Sequence, residues 1–151
     1  AIGADEYVTA MIAECGLTDE LTHAAFLAEF VDWPGEFYPG AVELLAAITV
    51  PTASMSNTNA IHWESPKYVD QVGGLFAAHY PSYQLGMAKP DRAIFEHVTA
   101  DAEVAPSAIL FFDDNQVNVD VATDVGWDAH RVDGPGPARA ILADRGVLAT
   151  D

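Results

Sequence analysis

The sequence predicts a parallel, doubly wound α/β sheet flanked by helices. Three observations carry this. Short apolar segments alternate with stretches of helical periodicity along most of the chain. One of them, Ala108-Ile-Leu-Phe-Phe-Asp-Asp-Asn115, runs apolar into two adjacent carboxylates and then into a helix-like segment. A buried parallel strand reads this way, and its C-terminal end is where open α/β sheets place their chemistry. Half of the 151 residues are hydrophobic, enough for one core of useful size, with or without a small cap.

The elements follow in order. Tyr7, Val8, Met11, Ile12 and Cys15 fall at helical spacing, which predicts a helix over 5–15 stopped by Gly16. A second helix is expected over Thr18–Val31, with Leu21, Ala24, Ala25, Leu27 and Phe30 on or near its inner face. Trp33-Pro34-Gly35 breaks the pattern, and Pro39-Gly40 opens a helix through Ala41–Ile48. Val50–Ser56 is short, small and apolar, so a buried strand is expected, followed by a helix from near Asn59 towards Val72. Tyr83–Met87 reads as a brief strand, Asp91–Ala100 as a helix and Ile109–Phe112 as the next strand. Val117–Val125 is a helix ended by Gly126, Trp127–Val132 a last strand, and Ala138–Arg145 a terminal helix after the turn at Asp133–Pro137.

Charge narrows the function classes. A net charge of −17 with pI near 4.2 argues against nucleic acid or anionic membrane as a partner, and also suits a high-salt habitat. A single cysteine, Cys15, excludes an internal disulfide and a cysteine-built zinc site, consistent with the cytoplasm. No apolar run is long enough to span a membrane, and no signal peptide is visible. Only two lysines occur, Lys67 and Lys89, so a lysine inside a motif carries extra weight.

Three local patterns point to chemistry. Met55-Ser-Asn-Thr-Asn59 puts a hydroxyl and an amide at a strand end before a helix start. That arrangement is either an anion cradle or a plain turn and cap. Leu85-Gly-Met-Ala-Lys-Pro-Asp91 sets Lys89 just before a proline placed for a first helical turn. Its ammonium either neutralises a phosphate and a carboxylate cluster or is an exposed surface charge. Asp113 and Asp114 repel each other unless a hard cation with oxygen ligands, Mg²⁺ foremost, sits between them; otherwise they form an acidic turn or a helix cap. The order small polar loop, lysine, paired acids, at 56, 89 and 113, would bring all three to one sheet edge.

In that order and detail the chain resembles the haloacid dehalogenase-like (HAD) hydrolase superfamily. It is similar above all to the branch containing bacterial α-D-glucose-1-phosphate phosphatase. The matching stretches are Ser-Asn-Thr-Asn (56–59), Leu-Gly-Met-Ala-Lys-Pro (85–90) and Phe-Phe-Asp-Asp-Asn-Gln-Val-Asn (111–118). The resemblance implies a Rossmann-like core over 36–151 and part of a small helical cap over 1–35. It implies a Mg²⁺-dependent phosphatase acting on a small phosphorylated substrate through an aspartyl-phosphate. Ser56 would bind the phosphoryl oxygens with Asn57 in support, Lys89 would hold nucleophile and phosphate in register, and Asp113 and Asp114 would bind Mg²⁺. A 2-haloacid dehalogenase and a non-catalytic phosphate-binding relative are the alternatives. Mg²⁺ dependence separates the first, and binding without turnover the second.

The family's first motif, an apolar strand ending Asp-x-Asp, is not found in these residues. Val117-Asn-Val-Asp-Val121 and Phe30-Val-Asp-Trp33 are the nearest stretches, and neither ends a buried strand in that pair. In the family fold that strand lies at the sheet centre beside the one carrying Asp113. With no Met at Ala1, the chain is expected to be an N-terminally truncated member, lacking the nucleophile and inactive by itself. His62 and Trp63 follow the phosphate loop, where they either line the substrate pocket or sit on a helix surface and pack. His23, His79, His97 and His130 have no metal-ligand spacing.

Overall fold

The computed structural model describes residues 4–16, 20–31 and 35–149. The helix start expected at Thr18 and the break at Trp33-Pro34 lie outside these residues. Two helices open the chain, α1 (Ala4–Glu14) and α2 (Glu20–Val31), and pack on each other. Among the described side chains Val8, Ile12 and Phe30 are the buried ones of the pair, whereas Ala24 and Ala25, expected inward, are exposed. Then follow α3 (Ala41–Ala47), β1 (Ala53–Ser56), α4 (Ala60–Trp63), α5 (Pro66–Val72), β2 (Ala78–Pro81) and α6 (Ser82–Leu85). The rest is α7 (Arg92–Ala102), β3 (Leu110–Asp113), α8 (Gln116–Asp124), β4 (Asp128–Arg131) and α9 (Pro135–Asp144). The α/β alternation and the parallel pairing match the sequence expectation.

Four expectations on element type or extent need correction: β1 begins at Ala53 instead of Val50, α9 begins at Pro135 inside the turn expected over Asp133–Pro137, and two others differ more. The strand read at Tyr83–Met87 lies earlier, at Ala78–Pro81, and 82–85 form a helical turn instead. Pro81 has no N–H to continue a ladder and ends the strand; Gly86, with φ +67°, ends the turn that follows. The single helix expected from Asn59 to Val72 is two. Ser65 caps a new helix, accepting from Tyr68 N at 3.2 Å with Pro66 in its first turn, so the earlier one stops at Trp63. Gly126 does end α8 as expected. Its φ is +96°, and a Cβ there would meet Pro106 Cβ at 3.3 Å, so the tight step into β4 requires glycine.

The strands form two parallel pairs, not one continuous sheet. β1 runs beside β2, with Ser56 opposite Pro81, and β3 beside β4, with Asp113 opposite Arg131. Among the described residues each strand has one partner, and no ladder joins β1 to β3. The main core nevertheless draws on both pairs. Tyr80, Ile94, Phe95, Val98, Phe111, Ala122 and Trp127 are buried together, with Met55 and Ala129 packed against them. Phe95, Phe111 and Trp127 meet edge to face, with centroids 5.3–5.9 Å apart. The Trp127 indole N–H donates to Thr99 Oγ1 at 2.8 Å. A second cluster, Leu44, Ala138 and Leu142, lies under Leu110 and Phe112 on the other face of β3.

Tyr80 gives this core a testable electrostatic signature. Its phenol donates to Asp101 Oδ2 at 2.8 Å. Burial first, then that hydrogen bond and the Asp101 charge, push its pKa from 10.0 to about 12. The folded pKa is raised, so the stabilisation is full below the unfolded value of 10.0 and is lost as pH rises towards about 12. We expect an ultraviolet titration to show one phenol ionising near 12 just as alkaline unfolding sets in, and Tyr80→Phe to remove that step. A Tyr80 ionising near 10 in the folded chain would contradict this.

Candidate active site

The C-terminal ends of β1 and β3 carry the candidate chemistry. Ser56 is the last residue of β1 and half-buried. Asn57 follows it and reaches across to the loop before α7. Its Nδ2 donates to the Lys89 carbonyl at 2.6 Å, and its Oδ1 accepts from the Lys89 N–H at 2.8 Å. An amide side chain thus holds the lysine main chain as a neighbouring strand would. Lys89 does not begin a helix as its sequence context predicts: α7 starts at Arg92, with Asp91 as the cap accepting from Ala93 N at 3.1 Å. The lysine sits in the preceding loop, fixed by Asn57.

Lys89 Nζ donates to Asp113 Oδ2 at 2.6 Å. The two side chains are only 13% and 4% exposed, so this is a buried pair. Asp113 Oδ1 accepts from Asn115 N at 2.8 Å and from Asn118 Nδ2 at 2.9 Å. Burial raises the Asp113 pKa, but the hydrogen bonds from Lys89, Asn118 and Asn115 and the Lys89 charge outweigh it and hold the carboxyl below its ordinary 3.8. The Lys89 ammonium also lies 5.7 Å from the Phe111 ring centroid.

Asp114 is different in kind. It is exposed, its carboxylate makes no hydrogen bond among the described residues, and its carbonyl accepts from Arg131 Nε at 3.0 Å. It faces a cleft of about 410 Å³ lined also by Tyr38, Leu44, Lys89, Phe112 and Asp113. The helix cap after the acid pair is neither aspartate but Asn115, which accepts from Val117 N at 3.0 Å.

The structure therefore brings Asn57, Lys89, Asp113 and Asp114 together, with Ser56 beside Asn57 on the chain. His62 sits apart, on α4, with its ring against the end of α2. Its Nε2 lies 2.6 Å from the Phe30 carbonyl and its Nδ1 3.3 Å from Asn59 Nδ2, so both ring nitrogens are engaged. Sequence reasoning missed two contributions: the Asn57 clamp and Arg131. Neither has a local signal, because each acts across a chain separation of 17 residues or more. Trp63 packs on Tyr68 and His79, at 4.8 and 5.5 Å between centroids.

A clamped lysine, a buried aspartate and an open one thus lie together at the end of β3 in an α/β fold. The family model for haloacid dehalogenase-like hydrolases matches residues 3–126, and the chain belongs to that family. A D-ribitol-5-phosphate phosphatase of Bacteroides thetaiotaomicron is 29% identical over 133 residues, covering 84% of this chain. The chain spans 65% of the length of that relative. A HAD-family enzyme of the same organism, solved with magnesium and inorganic phosphate, superimposes with a TM-score of 0.75 at 26% identity, over 88% of this chain and 71% of its own. A HAD-like hydrolase of Porphyromonas gingivalis shares the fold, with a TM-score of 0.74 at 22% identity over 94% of this chain and 74% of its own.

Proposed function

We propose that these residues are the greater part of a Mg²⁺-dependent phosphatase acting on a small phosphate ester, of the sugar- or polyol-phosphate kind. The observation that carries the reading is the Asn57–Lys89–Asp113 chain of bonds beside an unengaged Asp114. It presents one fixed cation and one free carboxylate beside the C-terminal end of β3. The likeness to a ribitol-phosphate phosphatase supports the substrate class.

In this reading Ser56 Oγ donates to a phosphoryl oxygen at the end of β1. Lys89 neutralises the phosphate and holds it against the attacking group. Asp113 stays ionised, fixes the Lys89 ammonium and keeps its proton in place. Asp114, with Asp113 at one remove, would hold Mg²⁺, which when bound screens the repulsion between phosphate and carboxylates. The donors suit that ion in kind, being anionic oxygens. In number they fall short: among the described residues no group of three His, Cys, Asp or Glu could hold a metal.

The attacking carboxylate belongs, in this proposal, to a strand outside these residues, lying between β1 and β3. It displaces the alcohol from phosphorus and forms an acyl phosphate, which water hydrolyses to regenerate the carboxylate and release phosphate. Two features favour such an addition. β1 and β3 lack a common ladder, and the buried Asn118 Oδ1 has no hydrogen-bond partner among the described residues. No helix among those residues is long and apolar enough to cross a membrane.

The test is hydrolysis by a longer protein carrying an Asp-x-Asp strand ahead of Ala1, measured on ribitol 5-phosphate and glucose 1-phosphate with and without EDTA. Metal-dependent phosphate release is expected, with the 151 residues alone inactive. Dehalogenation of a 2-haloacid unaffected by EDTA would replace this reading with the dehalogenase one. Phosphate binding without turnover would replace it with a non-catalytic one.

A further inference from the structure

His62 does something other than meet the phosphate. It lies on α4, three residues after the cap Asn59, yet its ring is seated against α2. The Phe30 carbonyl, 2.6 Å from Nε2, belongs to the last turn of α2. A carbonyl can only accept, so Nε2 carries the hydrogen. Nδ1 is then the acceptor, and Asn59 Nδ2 at 3.3 Å is its donor. The other half of that amide, Asn59 Oδ1, accepts from His62 N at 3.1 Å. The polar atoms of the pair are mutually committed.

The ring also packs. Its centroid is 4.3 Å from that of Phe30, which is 2% exposed. Phe30 in turn meets Phe26 at 5.4 Å and Tyr7 of α1 at 5.8 Å. Tyr7 is one wall of a cavity of about 420 Å³ whose other walls include Thr58, Asn59, Tyr83, Met87 and Ala88. These wall residues adjoin Ser56–Asn57 on one side and Lys89 on the other.

We propose that His62 is a positioning residue that pins the end of α2 to the loop after β1 and thereby seats Tyr7 as the wall of this cavity. Its hydrogen-bond donor and its ring act together: the donor fixes where Phe30 stands, and Phe30 fixes Tyr7. Resting on the phosphatase reading, His62 sets how closely the cavity fits the part of the substrate beyond the phosphate, without touching it.

Two substitutions separate this from a general packing role. Gln places an amide N–H near where Nε2 lies, whereas Asn is too short to reach Phe30. Amide exchange on the 151-residue chain is the readout. His62→Asn is expected to speed exchange over residues 20–31 by roughly tenfold, the loss of one hydrogen bond of ordinary net strength, and His62→Gln, which keeps a donor but loses the ring, to speed it by less. Exchange over 20–31 unchanged in His62→Asn would overturn the proposal. So would a His62→Gln variant as fast as His62→Asn, because the donor would then be irrelevant. In a longer, hydrolytically active protein, His62→Asn should raise KM for the ester more than it lowers kcat. If no ester is hydrolysed, the phosphatase reading fails while the exchange result still decides the role of His62.

Discussion

Asp113→Asn is expected to destabilise the chain by about 3–5 kcal/mol, the usual cost of removing one partner from a buried ion pair. The reason is what remains. Lys89 is 13% exposed in its side chain and keeps its charge, now with no carboxylate at 2.6 Å. Asn118 Nδ2 and Asn115 N also lose an anionic acceptor. Lys89→Met should cost less, because the Asp113 carboxylate keeps both of those donors. The double variant should cost less than the sum of the two, since it leaves no lone buried charge. Urea unfolding of the four proteins measures this, and strict additivity would show that the pair is not coupled.

The same pair gives the acid limb of stability. The folded pKa of Asp113 lies below its ordinary 3.8, so its contribution is present above that value and is lost as pH falls through the folded pKa. The parent chain should therefore lose stability steeply below about pH 4, and Asp113→Asn should flatten that limb.

Asp114→Asn is expected to do the reverse: little to stability and much to activity. Asp114 is exposed and its carboxylate has no partner among the described residues, so the change in stability should stay within about 0.5 kcal/mol. Removing one of two adjacent like charges also relieves repulsion. In a protein that includes the nucleophile strand, however, kcat should fall by roughly 10²–10³, the scale of losing one preorganised group at a developing charge. The Mg²⁺ concentration for half-maximal rate should rise in parallel. If Asp114→Asn were destabilised as Asp113→Asn is, or kept full activity, the division of labour between the two acids would be wrong.

That division was only partly legible in the sequence. The order Ser56, Lys89, Asp113–Asp114 was readable, because each sits where an apolar run gives way to small or polar residues. What separates Asp113 from Asp114 is not readable. It depends on β3 alternation, which turns one side chain inward to Lys89 and Asn118, and on the register that sets Arg131 opposite. The elements were mostly readable too, and failed where a proline outweighed a longer pattern, at Pro66 and Pro81. The pairing of strands was least accessible. β1 and β3 read alike as buried parallel strands, and nothing local says which neighbour each lacks. His62 followed the phosphate loop closely enough to suggest a substrate contact, but helix direction carries it to α2.

The divided sheet has a consequence for the behaviour of this chain in bulk solution. A strand with one partner offers a row of unpaired N–H and C=O groups to any other chain that meets it. Among the described residues four strands have a single partner each, and the counterweight is mutual repulsion between copies each carrying −17. That repulsion reaches about 8 Å at physiological ionic strength but only about 3 Å in molar salt. Dispersion of the isolated chain is therefore an electrostatic matter: dilute buffer keeps copies apart, and concentrated salt lets their open edges find each other.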